Sequence, residues 1–227
     1  MSATKHPAKF SPSILDVIRD QLAIRVAEDA IGLDPFAGIG RCHELGWWVA
    51  GNELEMPWCR EHVGKGAVAC GDATRLPYRS AVFDFAITSP TYGNRFADKH
   101  NARDGSTRRS YTHDLRAALN DPDYHLHPNN TGGMKWGADY WRMHGRAYDE
   151  VWRVLKDGGV FIVNVSDFVR RGEIVRVVDW HRRTLHARGF TVEQEVAVET
   201  PRMRYGANGD ARAAEEKVLV CEKEPFG

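Results

Sequence analysis

The chain has 227 residues, 42% hydrophobic and 27% charged, which is ordinary for a globular protein and long enough to build a core without a disulfide or metal staple. Lys+Arg and Asp+Glu both number 31, so net charge implies no polyanionic partner, and any nucleic-acid contact must rest on local charge. No apolar run approaches the roughly 18 residues of a membrane span, and residues 1–10 lack a signal peptide's hydrophobic core, so a cytoplasmic protein with a single domain over residues 1–227 and no membrane contact is expected.

In chain order, Ser11 and Pro12 read as the cap and first residue of a helix, with Ile14, Leu15, Ile18 and Leu22 following at helical spacing. A short strand runs into Leu33 and Asp34, a glycine-containing turn follows, and a helix is expected from about Arg41. Residues 47–52 read as a second strand, 57–62 as a helix, 68–70 as a third strand and 83–88 as a fourth. Residues 140–155 carry a helical pattern whose end is expected at Lys156-Asp157-Gly158-Gly159, a glycine stop signal. An apolar strand over 160–163, a helix over about 173–187 and strands over 191–198 and 217–221 complete the chain. Strands alternating with helices predict an α/β fold, a mostly parallel sheet covered on both faces. The four cysteines (Cys42, Cys59, Cys70, Cys221) form no CxxC pair and read as thiols rather than zinc ligands, so no metal is expected.

Residues 95–137 break the alternation and read as an inserted loop region, poor in aliphatic side chains. Over residues 99–116 within it, Lys99, Arg103, Arg108, Arg109 and Arg116 outnumber Asp104 and Asp114, and Tyr111, Tyr124 and Trp136 are interleaved through the region. Such a mixture suits phosphate contact and base stacking, and equally suits a solvated loop.

Chemistry gathers at strand ends. Asp34-Pro35-Phe36-Ala37-Gly38-Ile39-Gly40 leaves the first strand, where glycines permit close backbone approach and a helix start would offer free N–H donors. Glu53, in Gly51-Asn52-Glu53, stands at the end of the second strand, where an acidic residue suits ribose hydroxyls. Asp72, in Gly71-Asp72-Ala73 after the third strand, can accept from an adenine amino group or cap a turn. The three motifs in this order describe an adenosine-containing ligand across the carboxyl edge of a sheet.

The fourth strand ends in Thr88-Ser89-Pro90-Thr91-Tyr92-Gly93-Asn94. With this motif the chain resembles the S-adenosylmethionine-dependent methyltransferases that act on exocyclic amino groups of DNA bases, in their gamma motif order. Lys5-His6-Pro7-Ala8-Lys9-Phe10 resembles the segment those enzymes place beside the cofactor, and residues 152–165 resemble their following helix and strand. The resemblance implies a Rossmann-like class I methyltransferase fold, with a seven-stranded sheet containing one antiparallel strand near an edge. It also implies S-adenosylmethionine (SAM) held by Phe10, Asp34, Phe36, Gly38, Gly40, Glu53, Asp72 and Ala73. Ser89, Pro90 and Tyr92 become the catalytic group, with double-stranded DNA as partner and a restriction-modification context as the setting. Ser in first place of the motif is usual for cytosine N4 enzymes, and Asp or Asn for adenine N6 enzymes. Thr91 stands where the family has a second proline, and Arg41 where many relatives have Thr.

An exocyclic amine is a weak nucleophile because its lone pair is delocalised into the ring. Acceptors on its hydrogens, Ser89 Oγ and the Pro90 carbonyl, would favour the tetrahedral geometry of attack, and Tyr92 would stack on a base turned out of the duplex. No Pro-Cys dipeptide exists, which argues against a cysteine nucleophile. Arg103, Arg108, Arg109, Tyr111, Arg202 and Arg204 are the expected DNA contacts. Adenine N6 methylation, RNA base methylation and a catalytically silent SAM-binding homologue are the alternatives.

Overall fold

In the computed structural model, which describes residues 10–61, 67–91, 93, 116, 119–170, 172–199 and 215–225, all seven expected strands join one sheet. The strands in chain order are β1 (Ile31–Asp34), β2 (Trp48–Glu53), β3 (Val68–Cys70), β4 (Phe83–Thr88), β5 (Leu155–Val165), a small hairpin of β6 (Phe168–Arg170) and β7 (Glu173–Val175), then β8 (Phe190–Glu199) and β9 (Glu215–Lys223). The sheet order is β3-β2-β1-β4-β5-β9-β8. All neighbours from β3 to β5 run parallel, and β9 runs antiparallel to both β5 and the edge strand β8. The order reverses between β1 and β4, so a crevice opens at their carboxyl ends.

Strand periodicity sends alternate side chains to two cores. Phe85, Ile87, Ile162, Val218 and Val220 meet Ile14, Leu15, Ile18 and Leu22 of helix α1 (Pro12–Ala23). Leu33, Ala86, Phe161, Val163, Leu219 and Cys221 meet Tyr148, Val151 and Val154 of α3 (Ala138–Val154) and Val178 and Leu185 of α4 (Val177–His186). Burial on both faces explains why these strands are apolar runs rather than alternating patterns. Helix α2 (Met56–Glu61) follows β2, and among the described residues no helix is long and apolar enough to cross a membrane.

Three elements depart from expectation. The helix expected from Arg41 is a single 3₁₀ turn, Arg41–Leu45, bounded by Gly40 and Gly46, both at positive φ. Helix α3 stops at Val154, and Lys156-Asp157-Gly158-Gly159 belongs to β5 because Leu155 turns at once into extended backbone and pairs with Phe83. Residues 173–175 form β7, not the first turn of a helix, since they pair with β6. Helix α4 starts after them, and Asp167 Oδ1, across the hairpin, accepts the Val178 N–H at 2.9 Å.

At the centre of β1, Gly32 lies beneath the Phe85 ring, and a Cβ there would come within 2.3 Å of it. Gly32→Ala should therefore destabilise the fold by about 1–3 kcal/mol through overpacking, with partial recovery on adding Phe85→Leu. Urea unfolding of the two variants checks this, and an unchanged midpoint in Gly32→Ala would contradict it.

Candidate active site

The turn after β1 is held by its own backbone and by β2. Asp34, 1% exposed, accepts the Phe36 N–H through Oδ1 at 3.1 Å. The Ala37 N–H donates to the Asn52 carbonyl at 3.0 Å and the Gly40 N–H to the Ala37 carbonyl at 2.8 Å. Gly38 and Gly40 both lie at positive φ, the conformation that favours glycine. The Gly38 N–H donates to Glu53 Oε2 at 2.9 Å, and Glu53 Oε1 accepts the Glu55 N–H at 2.8 Å. Asn52 joins the turns after β1 and β3, its Nδ2 donating to the Pro35 carbonyl at 3.2 Å and the Gly71 carbonyl at 3.1 Å.

These turns line a cleft of about 920 Å³ at the carboxyl ends of β1–β4, partly open to solvent. Every expected cofactor residue lines it: Phe10, Asp34, Phe36, Gly38, Gly40, Glu53, Asp72 and Ala73. So do Ser89 and Thr91 at the end of β4, beside the buried Pro90. Arg41 borders it as well, its Nε paired with Glu44 Oε1 at 2.6 Å. The expected open helix N-terminus is replaced here by the short 3₁₀ turn, and the Phe36, Ala37, Gly38 and Gly40 N–H groups of the loop are given to acceptors within the protein. Tyr92, the segment 5–9, and Arg103, Arg108, Arg109, Tyr111, Arg202 and Arg204 lie outside the described residues.

A second wall of the cleft comes from the end of the inserted region. Glu55, 3% exposed, holds it: Oε2 accepts the Tyr124 hydroxyl at 2.6 Å, and Oε1 accepts the His127 N–H at 2.9 Å and Asn130 Nδ2 at 2.8 Å. Asn129 Nδ2 donates to Asp72 Oδ2 at 2.7 Å, while Asp72 Oδ1 accepts the Thr74 N–H and hydroxyl, each at 2.8 Å. Thr131 shares a hydrogen bond between hydroxyls with Thr91 at 2.9 Å. Glu55, Asn129, Asn130 and Thr131 did not stand out by motif. Their only sequence trace is the second acidic residue in Glu53-Leu54-Glu55 and the polar run at 129–131.

Asn164 of β5, 2% exposed, donates through Nδ2 to Ser89 Oγ at 3.3 Å and to Glu216 Oε2 at 2.7 Å. Phe36 stacks on the buried His144 with ring centroids 5.4 Å apart. Among the described residues, no group of three or more His, Cys, Asp or Glu side chains is placed to hold a metal ion.

Burial sets the charge state of the cleft floor. It pushes the carboxyls of Asp34 and Glu53 each up to about 7, although backbone N–H donors pull both back. At Asp72 burial also pushes upward, but the bonds from Thr74 and Asn129 outweigh it and hold the group below its ordinary value.

No protein-family profile and no curated protein matches the chain by sequence. In shape it is similar to a SAM-dependent methyltransferase from Methanosarcina mazei (TM-score 0.56, 14% identity, 96% of this chain and 100% of that one). It is also similar to the [4+2]-cyclase SpnF (0.55, 18%, 93% and 81%). A TehB-like SAM-dependent methyltransferase from Corynebacterium glutamicum matches at 0.50, 14%, 91% and 86%. At these identities the likeness is one of fold, and the fold is the Rossmann-like methyltransferase fold. A cyclase among these neighbours means that the reaction must be argued from the site's own residues.

A carboxyl raised on folding binds its proton more tightly in the native state, so Glu53 contributes stability below about pH 4 that is lost as pH rises through 7. The buried His144 and His181, lowered on folding, act in the opposite sense at acid pH, so the wild-type curve alone does not isolate Glu53. The comparison with Glu53→Gln does. Between pH 4.5 and 8 the stability difference should shift in the variant's favour by about 1–3 kcal/mol in denaturant titrations. A difference independent of pH would contradict the raised carboxyl.

Proposed function

We propose that the protein is a SAM-dependent methyltransferase acting on an exocyclic amino group of a DNA base, cytosine N4 first. One observation carries this reading: Ser89, with Pro90 next to it in the chain, lines at the end of β4 the same cleft that Glu53 and Asp72 line after β2 and β3. A methyl donor bound along the turns after β1–β3 would thus end beside the two groups suited to hold an amine.

The residues fit the cofactor. The cleft is concave and lined by apolar side chains (Phe10, Phe36, Ile39, Trp58) with a few convergent polar groups, the make-up of a small-molecule site. The buried Glu53 carboxylate keeps lone pairs for ribose hydroxyls after accepting from Gly38 and Glu55. Asp72 and Asn129 offer acceptors at the adenine end, Phe10 and Phe36 supply apolar walls, and the Gly38–Gly40 loop lies under the methionine end, with Arg41 and Glu44 beyond it. When bound, SAM supplies an electrophilic methyl group on a sulfonium sulfur.

The chain's own part is orientation. Ser89 Oγ accepts from Asn164 with one lone pair and keeps the other for an amino hydrogen, while the Pro90 carbonyl takes the second hydrogen. Both acceptors are neutral, and the amine is turned toward the methyl without a covalent enzyme intermediate. Ser89, in place of a carboxylate or an amide, is what favours cytosine. The basic residues Arg103, Arg108, Arg109, Arg202 and Arg204, with Tyr111, are assigned to DNA from their charge and aromatic character.

Expression in a methylation-free bacterial host followed by nucleoside mass spectrometry tests the reading. N4-methylcytosine in host DNA is expected, and Ser89→Ala should lower its rate of formation about 100-fold with cofactor affinity within twofold of wild type. N6-methyladenine as the sole product would overturn the cytosine assignment, and unmodified DNA with methylated RNA would overturn the DNA assignment.

A further inference from the structure

Three buried side chains lead from the interior of the protein to the carbonyl of Thr91. The Tyr140 hydroxyl donates to that carbonyl. The same hydroxyl oxygen lies 3.1 Å from His181 Nε2, and the other ring nitrogen, Nδ1, lies 2.7 Å from the Tyr148 hydroxyl. All three side chains are 0% exposed. Tyr140 and Tyr148 sit on α3, His181 on α4, and Thr91 follows β4, so the chain of bonds joins three elements.

The direction of each bond follows from chemistry. The only hydroxyl proton of Tyr140 goes to Thr91, so toward His181 its oxygen must accept, and Nε2 carries the imidazole proton. Nδ1 of the neutral ring is then an acceptor, filled by the Tyr148 hydroxyl. Burial and the neighbouring His144 hold His181 well below its ordinary pKa, which keeps the ring in this neutral form.

The end point is the position where the resembled motif has a proline. Proline fixes its own φ near −65°, whereas Thr91 leaves that angle free. Here the loop is held from outside. Thr91 is bound at its carbonyl by Tyr140 and at its hydroxyl by Thr131, Ser89 is bound by Asn164, and the Gly93 carbonyl accepts the Trp136 N–H at 2.7 Å.

We propose that Tyr140 and His181 are positioning residues for methyl transfer, holding the Ser89-Pro90-Thr91 loop in the geometry that a second proline would otherwise impose. This inference rests on the proposed amino-methyltransferase activity for its catalytic consequence, but not for its structural one. The Tyr148–His181 bond matters only because it selects the tautomer that donates to Tyr140.

The test uses the full chain and three substitutions. Tyr140→Phe keeps the ring and removes the donor. His181→Asn reaches only as far as the Nδ1 position, whereas the amide nitrogen of His181→Gln falls where Nε2 lies and still donates to Tyr140. Tyr140→Phe and His181→Asn should lower kcat at least tenfold with KM for SAM within twofold, and His181→Gln should stay within threefold of wild type. NMR-detected amide exchange at Trp136, whose N–H donates to the Gly93 carbonyl at 2.7 Å, read on the protein without substrate, should quicken at least tenfold in the first two variants and stay near wild type in the third. Exchange unchanged in Tyr140→Phe, or equal effects of Asn and Gln at position 181, would overturn the proposal. A wild-type protein that methylates no nucleic acid would instead defeat the functional reading, while the exchange data would still decide the positioning role.

Discussion

The buried carboxylate of Glu53 is the constraint on which the cleft depends. Its two oxygens accept N–H groups from the turn after β1 and from just past its own strand end, so it ties the glycine loop to β2. A carboxylate at 7% exposure is costly to ionise, and the raised pKa expresses that cost. The protein keeps the group because a sheet whose order reverses between β1 and β4 brings three strand ends together at one crevice, and an acceptor must satisfy the donors gathered there. Asn52 and Glu55 extend the same pattern to the turn after β3 and to the segment around Tyr124 and Asn130.

In the loop proposed to be catalytic, rigidity is built differently from the pattern of the family that the sequence resembles. In a Pro-Pro motif the ring itself limits the backbone. With Thr91, restraint comes from hydroxyl and amide groups on α3, β5 and residues 131–136, so the loop depends on the packing of distant helices.

Much of the fold was legible because its strands are apolar runs set off by turn residues and its helices carry the 3.6 period. The motifs of the cleft were legible because acidic and glycine residues recur at successive strand ends. What could not be read has a physical cause in each case. Leu155 is helical by pattern, yet pairing with Phe83 extends it. Glu173 to Val175 suits a helix start, yet the hairpin partner Phe168 to Arg170 captures it. Glu55, Asn129 and Tyr140 act through contacts 41–69 residues apart or more in sequence, as in the Tyr124–Glu55 and Tyr140–His181 bonds, and no local spacing announces those.

The central claim is that Glu53 receives the ribose of SAM. A carboxyl poised near 7 that begins to accept ribose hydroxyls close to a sulfonium charge must give up its proton on binding. Calorimetric titration of SAM at pH 7, repeated in buffers of different ionisation enthalpy, counts that proton. Wild type should release on the order of half a proton more per SAM bound than Glu53→Gln does. Equal proton release by the two proteins, or SAM affinity unaffected by the substitution, would contradict the assignment.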